Sequence, residues 1–175
     1  LGDTTYTGGA MWASNIDPGP MSSFSISGWI KPENNTWGDQ TINGEQSQSE
    51  NIWRYFDDGD NYYQLGGNTY GAGPDDPDLK IEDEDESDHR FAGSEIWNDP
   101  PEDWVYFAVT HNSSTGDVKF FGGNKNTSVS LLSTVSGPSG HTIDSYGSGW
   151  FGFGNDPNGL WAFDGYMDNL RVHDD

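Results

Sequence analysis

The sequence contains no cysteine, which excludes a disulfide framework and any thiolate metal site. Lysine and arginine together number only seven, against 29 Asp and Glu, for a formal net charge of −22. A surface of that sign repels duplex nucleic acid and anionic membrane. No apolar run approaches the roughly 20 residues that span a bilayer as a helix, so membrane insertion is not expected. Apolar residues at helical spacing are almost absent as well.

What the chain does have is aromatic: eight Trp, eight Tyr and nine Phe among 175 residues. Rings of that size bury enough surface to build a core although hydrophobic residues make up only 31% of the chain. The length is that of one domain, residues 1–175, able to hold a core without a metal staple. The chain begins at Leu1 with neither an initiator Met nor a signal peptide. It is expected to be a processed or excised piece of a longer chain. The carboxylates recur from Asp3 to Asp175 and are mostly Asp. This is the acid-rich, lysine-poor surface expected of a halophilic source, because at 1 M salt the Debye length falls to about 3 Å and screens self-repulsion.

Alternating segments bounded by Gly, Pro, Asn and Asp run through the chain and predict an all-β fold. In "FSISGWIKP", Phe24, Ile26, Gly28 and Ile30 fall on one face and Ser25, Ser27, Trp29 and Lys31 on the other. In "WVYFAVTHN", Val105, Phe107 and Val109 share a face, and "SSTGD" turns the chain into "VKFFGG". Further strands are predicted at "IWRYFDD", "NYYQLGG", "LKIE", "RFAGSEIW", "GWFGFGN" and "DGYMDNLRVH". Many short strands joined by glycine-rich turns point to a two-sheet antiparallel sandwich, a jelly roll.

Three segments in this order resemble the laminin G-like, concanavalin A-like jelly rolls. "FSISGWIKPE" is similar to that family's early core strand, "WVYFAVTHNSSTGDVKFFGG" to its central hairpin, and "FDGYMDNLRVHDD" to its closing strand. The resemblance implies two packed antiparallel sheets. It leaves function open among lectins, carbohydrate-binding modules, adhesion modules and some glycoside hydrolases.

The run "KIEDEDESDHRF" places six carboxylates within Glu82 to Asp88. Retaining glycoside hydrolysis needs two carboxyls about 5–5.5 Å apart, and the resemblance implies a Glu-x-Asp-x-x-Glu strand to supply them. Glu86 and Asp88 begin that pattern, but Phe91 stands at its third position. As a helix-loop-helix calcium loop, Asp83, Asp85 and Ser87 fit, whereas Asp88 replaces the required Gly and Ser94 the required Glu. The run therefore reads as the solvated tip of a hairpin between "LKIE" and "RFAGSEIW", and the chain is expected not to be an enzyme.

Other positions carry more specific chemistry. Asp57, Asp58 and Asp60 surround Gly59 in "FDDGDNYY", a candidate structural Ca2+ loop that competes with a solvated hairpin turn. Strict alternation sets Asp168 beside Leu170 and Val172, where a half-buried carboxylate needs a cation or hydrogen-bond donors, unless a bulge near Met167 turns it outward. Sugar binding needs flat rings with polar neighbours. Trp53, Tyr62, Trp97 and Trp161 are the carbohydrate-binding candidates: Trp97 and Trp161, like Trp37, lie in or beside polar, Gly- and Asn-rich stretches, and Trp53 precedes "RYFDDGDNYY"; the alternatives for each ring are contact with another protein and closure of an end of the sandwich. Trp29 and Trp104 belong to the family-like core strands and are expected to pack inside. Sequons at Asn34, Asn112 and Asn126 carry little weight in a chain this rich in Asn, Ser and Thr. The four histidines form no short-spaced metal pair.

The expectation is an extracellular, non-catalytic binding or adhesion module, secreted or displayed on a cell or virion surface, recognising glycan or a surface protein. The alternatives are a self-associating building block of a surface layer, filament or virion and, below that, a glycoside hydrolase.

Overall fold

The computed structural model describes residues 11–14, 21–32, 40–42, 45–47, 51–56, 62–67, 77–82, 88–92, 103–140, 150–154, 163 and 165–174. Among these there are thirteen strands and no helix. The strands are β1 (Met11–Ser14), β2 (Ser23–Pro32), β3 (Gln40–Ile42), β4 (Glu45–Ser47), β5 (Asn51–Phe56), β6 (Tyr62–Gly67), β7 (Pro77–Glu82), β8 (Asp88–Ala92), β9 (Val105–Asn112), β10 (Asp117–Asn124), β11 (Thr127–Ser136), β12 (Trp150–Phe153) and β13 (Gly165–Asp174).

They form a six-stranded sheet in the order β1-β12-β5-β6-β7-β8, a five-stranded sheet in the order β11-β10-β9-β2-β13, and the small pair β3-β4. Every pairing is antiparallel. The two large sheets make the expected jelly-roll sandwich.

The core lies between them. β2 contributes Phe24, Ile26 and Ile30, β9 contributes Val105, Phe107 and Val109, and β10 contributes Val118 and Phe120, all buried. Their partners from the six-stranded sheet are Ile52, Trp53 and Leu65. Gly28 falls on the inner face because β13 comes close there: a Cβ at that position would meet Leu170 Cδ2 at 2.5 Å and Leu170 Cα at 3.3 Å.

The central hairpin is closed by a four-residue turn. Asn112 Oδ1 accepts from the N–H groups of Ser114 and Thr115 at 3.0 and 3.3 Å. Gly116 follows at φ 72°, its N–H donating to the Asn112 carbonyl at 2.8 Å. Glycine is needed there, since φ is positive and a Cβ would stand 2.2 Å from the Gly137 carbonyl oxygen.

Three expectations change. Trp53 is wholly buried, so as a carbohydrate-binding candidate it is corrected to a core residue. Trp29 and Trp104, expected inside, are only half-buried; Trp29 occupies the outer parity of β2 and Trp104 immediately precedes β9. β1, β3, β4 and β11 lie outside the predicted strand set altogether. The strand expected at 90–97 begins at Asp88 and is described as far as Ala92, and residues 93–102 lie outside the described residues. β7 and β8 do pair, with Glu82 opposite Asp88, so the acidic run joins two strands of one hairpin.

Candidate functional site

Asp57, Asp58, Asp60, Trp97 and Trp161, with Trp37 and Asn34, lie outside the described residues. Asp168 is exposed, which corrects its expected burial. Between Asp168 and Arg171 the register against β2 shifts, and Asn169 takes a left-handed φ of 53°. This one-residue bulge keeps Met167, Leu170 and Val172 packed against the core while Asp168 turns to the other face. Among the described residues no group of three His, Cys, Asp or Glu is placed to hold a metal ion. Asn112 and Asn126 are both exposed.

The outer face of the five-stranded sheet carries an apolar patch among polar residues such as Ser25, Ser27, Thr110 and Lys119. Trp29 and Tyr106 are register partners and meet edge-on, with ring centroids 5.4 Å apart and planes at 65°. Trp104 lies 6.5 Å from Tyr166, which is 54% exposed. Further across the same face Phe121 stands opposite Ala108 and Leu131, and Leu131 and Val129 are each about half exposed. Polar groups frame the patch. Arg171 donates from Nε and Nη2 to Asn169 Oδ1 at 3.2 and 3.1 Å. Lys125 pairs with Asp103, and the Trp104 N–H donates to Asp103 Oδ1 at 2.9 Å. These two contacts, the lysine foremost, hold the exposed Asp103 carboxyl below the usual aspartate range.

The six-stranded sheet presents a different face. Trp53 and Leu65 are register partners and buried; a register shift next to Trp53 leaves Ile52 buried as well, and beyond it Arg54 and Phe56 of β5 and Tyr62 and Gln64 of β6 take the opposite parity. Following the pairings across the sheet gives one outer line Ser14–Trp150–Phe56–Tyr62 through β1, β12, β5 and β6. Two residues along each strand, the adjacent outer line is Trp12–Gly152–Arg54–Gln64–Lys80–Arg90, crossing all six strands. Gly152 is buried, so that line is not uniformly open. Neighbouring strands lie about 4.8 Å apart. By register Trp12, Trp150, Phe56 and Tyr62, with Arg54, Gln64, Lys80 and Arg90, take the parity opposite to the buried Trp53 and Leu65, and so do Asp78, Glu82 and Asp88. Of the sugar-binding candidates, Tyr62 falls on this face.

The aromatic content was readable in the chain, and so was the alternation within each strand. What sequence reasoning missed was Trp12, Phe56 and Trp150, which join Tyr62 only through the strand order.

No family model matches the sequence, and no curated protein matches it. Solved structures do share its fold. A carbohydrate-binding module, the CBM40 of the Ruminococcus gnavus IT-sialidase bound to α2,3 sialyllactose, is 10% identical with a TM-score of 0.60 over 94% of this chain and 92% of that one. The native heptameric SAP-like pentraxin from Limulus polyphemus is 12% identical, with a TM-score of 0.58 over 94% of this chain and 70% of its own. The LG1-3 region of the laminin α2 chain is 8% identical, with a TM-score of 0.61 over 94% of this chain and 30% of that chain. At such identities the likeness is one of fold, and the fold agrees with the resemblance seen in the strand motifs.

Proposed function

We propose that this chain is a non-catalytic extracellular module that binds glycan on the outer face of its six-stranded sheet. The observation that carries this reading is the line Trp150–Phe56–Tyr62, three aromatic residues in register on three adjacent strands. Core packing does not call for rings there, because these positions alternate with the buried Trp53 and Leu65. Adjacent strands lie about 4.8 Å apart, a spacing that suits an array of aromatic residues to successive units of a saccharide. The shared fold with a sialyllactose-bound carbohydrate-binding module supports this use of the scaffold without fixing the ligand. The setting that fits the charge of −22 is a salty one, on a secreted protein, cell surface or virion.

The test is a glycan array probed at about 1 M salt, where the Debye length is near 3 Å. Tyr62→Ala and Trp150→Ala are expected to lose at least nine-tenths of the signal while melting like the parent. Binding that survives both substitutions, or no binding to any glycan, overturns the reading.

A second reading has its own observation. The apolar patch of Trp29, Tyr106, Tyr166, Phe121 and Leu131 suits a surface protein or a second copy of the chain. Sedimentation at about 1 M salt that shows dimers or larger species, lost on Tyr166→Ser with Leu131→Ser, would favour it.

A further inference from the structure

The five-stranded sheet is nearly neutral in a chain of net charge −22. Its strands and the turns joining β9, β10 and β11 hold Lys31, Lys119, Lys125 and Arg171 against Asp117, Asp168 and Asp174, with Asp103 paired to Lys125 beside β9. Glu33, Glu102, Asp164 and Asp175 adjoin the strand ends in the sequence. All the other acids lie elsewhere in the chain, with only three cations among them. The apolar patch occupies the outer side of this sheet. Lys31 stands opposite Tyr166, Trp29 opposite both Tyr106 and Asp168, and Ser27 opposite both Ala108 and Arg171. The charges around the rings therefore sit singly and carry both signs, and β11 at the far edge carries none.

We infer that this patch is a two-fold interface that takes a second copy of the chain. The inference rests on the second reading above and narrows it to one partner. Two bodies of charge −22 repel wherever their acid-rich surfaces approach, and like charge set against like across an interface is penalised. The outer side of this sheet is where two copies meet without that penalty. A basic partner would instead be drawn to the acid-rich remainder of the chain. Composition agrees, since aromatic residues are enriched at interfaces and Asp, Glu and Lys depleted. Here Trp29 with Tyr106, and Trp104 with Tyr166, form two ring pairs that are half-buried or exposed. Five strand widths of about 4.8 Å and eight residues of about 3.4 Å span roughly 24 by 27 Å. That is on the order of 650 Å2, close to the roughly 800 Å2 per partner of a standard interface. A two-fold axis makes every contact reciprocal, so Asp168 and Arg171, opposite in sign on one edge strand, are able to pair across it.

The experiment is sedimentation equilibrium of the whole chain over a range of concentrations at about 0.15 and 1 M salt, with Tyr166→Asp, Leu131→Asp and, as a control on β1, Met11→Asp. All three positions are more than half exposed, and melting curves confirm that each variant is folded. The expected result is a monomer–dimer equilibrium that stops at the dimer and tightens at least fivefold at the higher salt, where screening relieves repulsion. It should weaken tenfold or more in Tyr166→Asp and in Leu131→Asp and stay unchanged in Met11→Asp. A chain that remains monomeric at every concentration overturns the inference and leaves the second reading its surface-protein form. Association that survives both Asp variants overturns it by placing the contact elsewhere. Growth beyond the dimer, or weakening by salt, also overturns it, because a two-fold patch is filled once and a balanced apolar contact does not depend on attraction between charges. None of these outcomes bears on the glycan reading.

Discussion

Phe24 of β2 and Trp53 of β5 meet with ring centroids 5.9 Å apart and planes inclined by 41°, and neither ring is exposed. They come from different sheets, so this contact ties the sandwich across its middle. Trp53→Ala removes the largest fully buried side chain among the described residues and should cost about 3–5 kcal/mol, seen as an earlier midpoint in denaturant. A loss below about 1 kcal/mol would mean that the ring is not part of the core.

The turn at Gly116 should be intolerant of any side chain. Gly116→Ala meets both a left-handed φ and the Gly137 carbonyl oxygen, which cannot retreat while the Gly137 N–H donates to the Gly116 carbonyl at 2.9 Å. The expected cost is about 3 kcal/mol or more. Gly140 has φ 98° but nothing within 4 Å of an added Cβ. Gly140→Ala should therefore cost only the backbone term, about 1–2 kcal/mol. Equal losses in the two variants would refute the steric part of the argument.

Asp103 should titrate below the usual aspartate value, because Lys125 and the Trp104 N–H favour its ionised form. A depressed carboxyl adds stability that is present above the unfolded-state value and lost as pH falls through the folded one. The carboxyl is partly open to solvent, so the contribution is small and is better read from the carboxyl itself. NMR titration should show its midpoint return toward the ordinary range in Lys125→Met. An unchanged midpoint would remove the lysine as the cause.

Salt should stabilise this chain. Screening between about 0.01 and 1 M shortens the Debye length from roughly 30 to 3 Å, which relieves repulsion among 29 carboxylates opposed by seven cations. The melting temperature is expected to climb across that range. A flat profile would show that the charge has little bearing on stability.

β2 and β9 were legible in the sequence because each is a regular strand with one face in the core, so burial alternates residue by residue. β11 was not. It is rich in Ser and Thr, its register against β10 shifts twice, and its first five residues are all exposed. Alternation also misplaced Asp168, because one extra residue at Asn169 resets the parity of everything before it. Within β5, β6 and β7 the outer positions Arg54, Phe56, Tyr62, Gln64 and Lys80 could be listed from alternation alone. That Trp150 adjoins Phe56, and Arg90 opposes Lys80, depends on strand order and register, which no local pattern encodes.

β8 and β11 are edge strands of their respective sheets, and they approach one another along one side of the sandwich. β11 carries no charged residue and exposes Val129 and Leu131, the profile of an edge open to pairing with another molecule. Of the six carboxylates of residues 82–88, Glu82 ends β7 and Asp88 opens β8, paired with one another. Pairing of β8 with the edge of a second chain would bring like charge toward like charge. An acidic run next to β8 is therefore expected to oppose sheet extension. Replacing Asp83, Glu84, Asp85 and Glu86 with Asn and Gln should lower the concentration at which light scattering reports aggregates, and an unchanged threshold would deny the run that role.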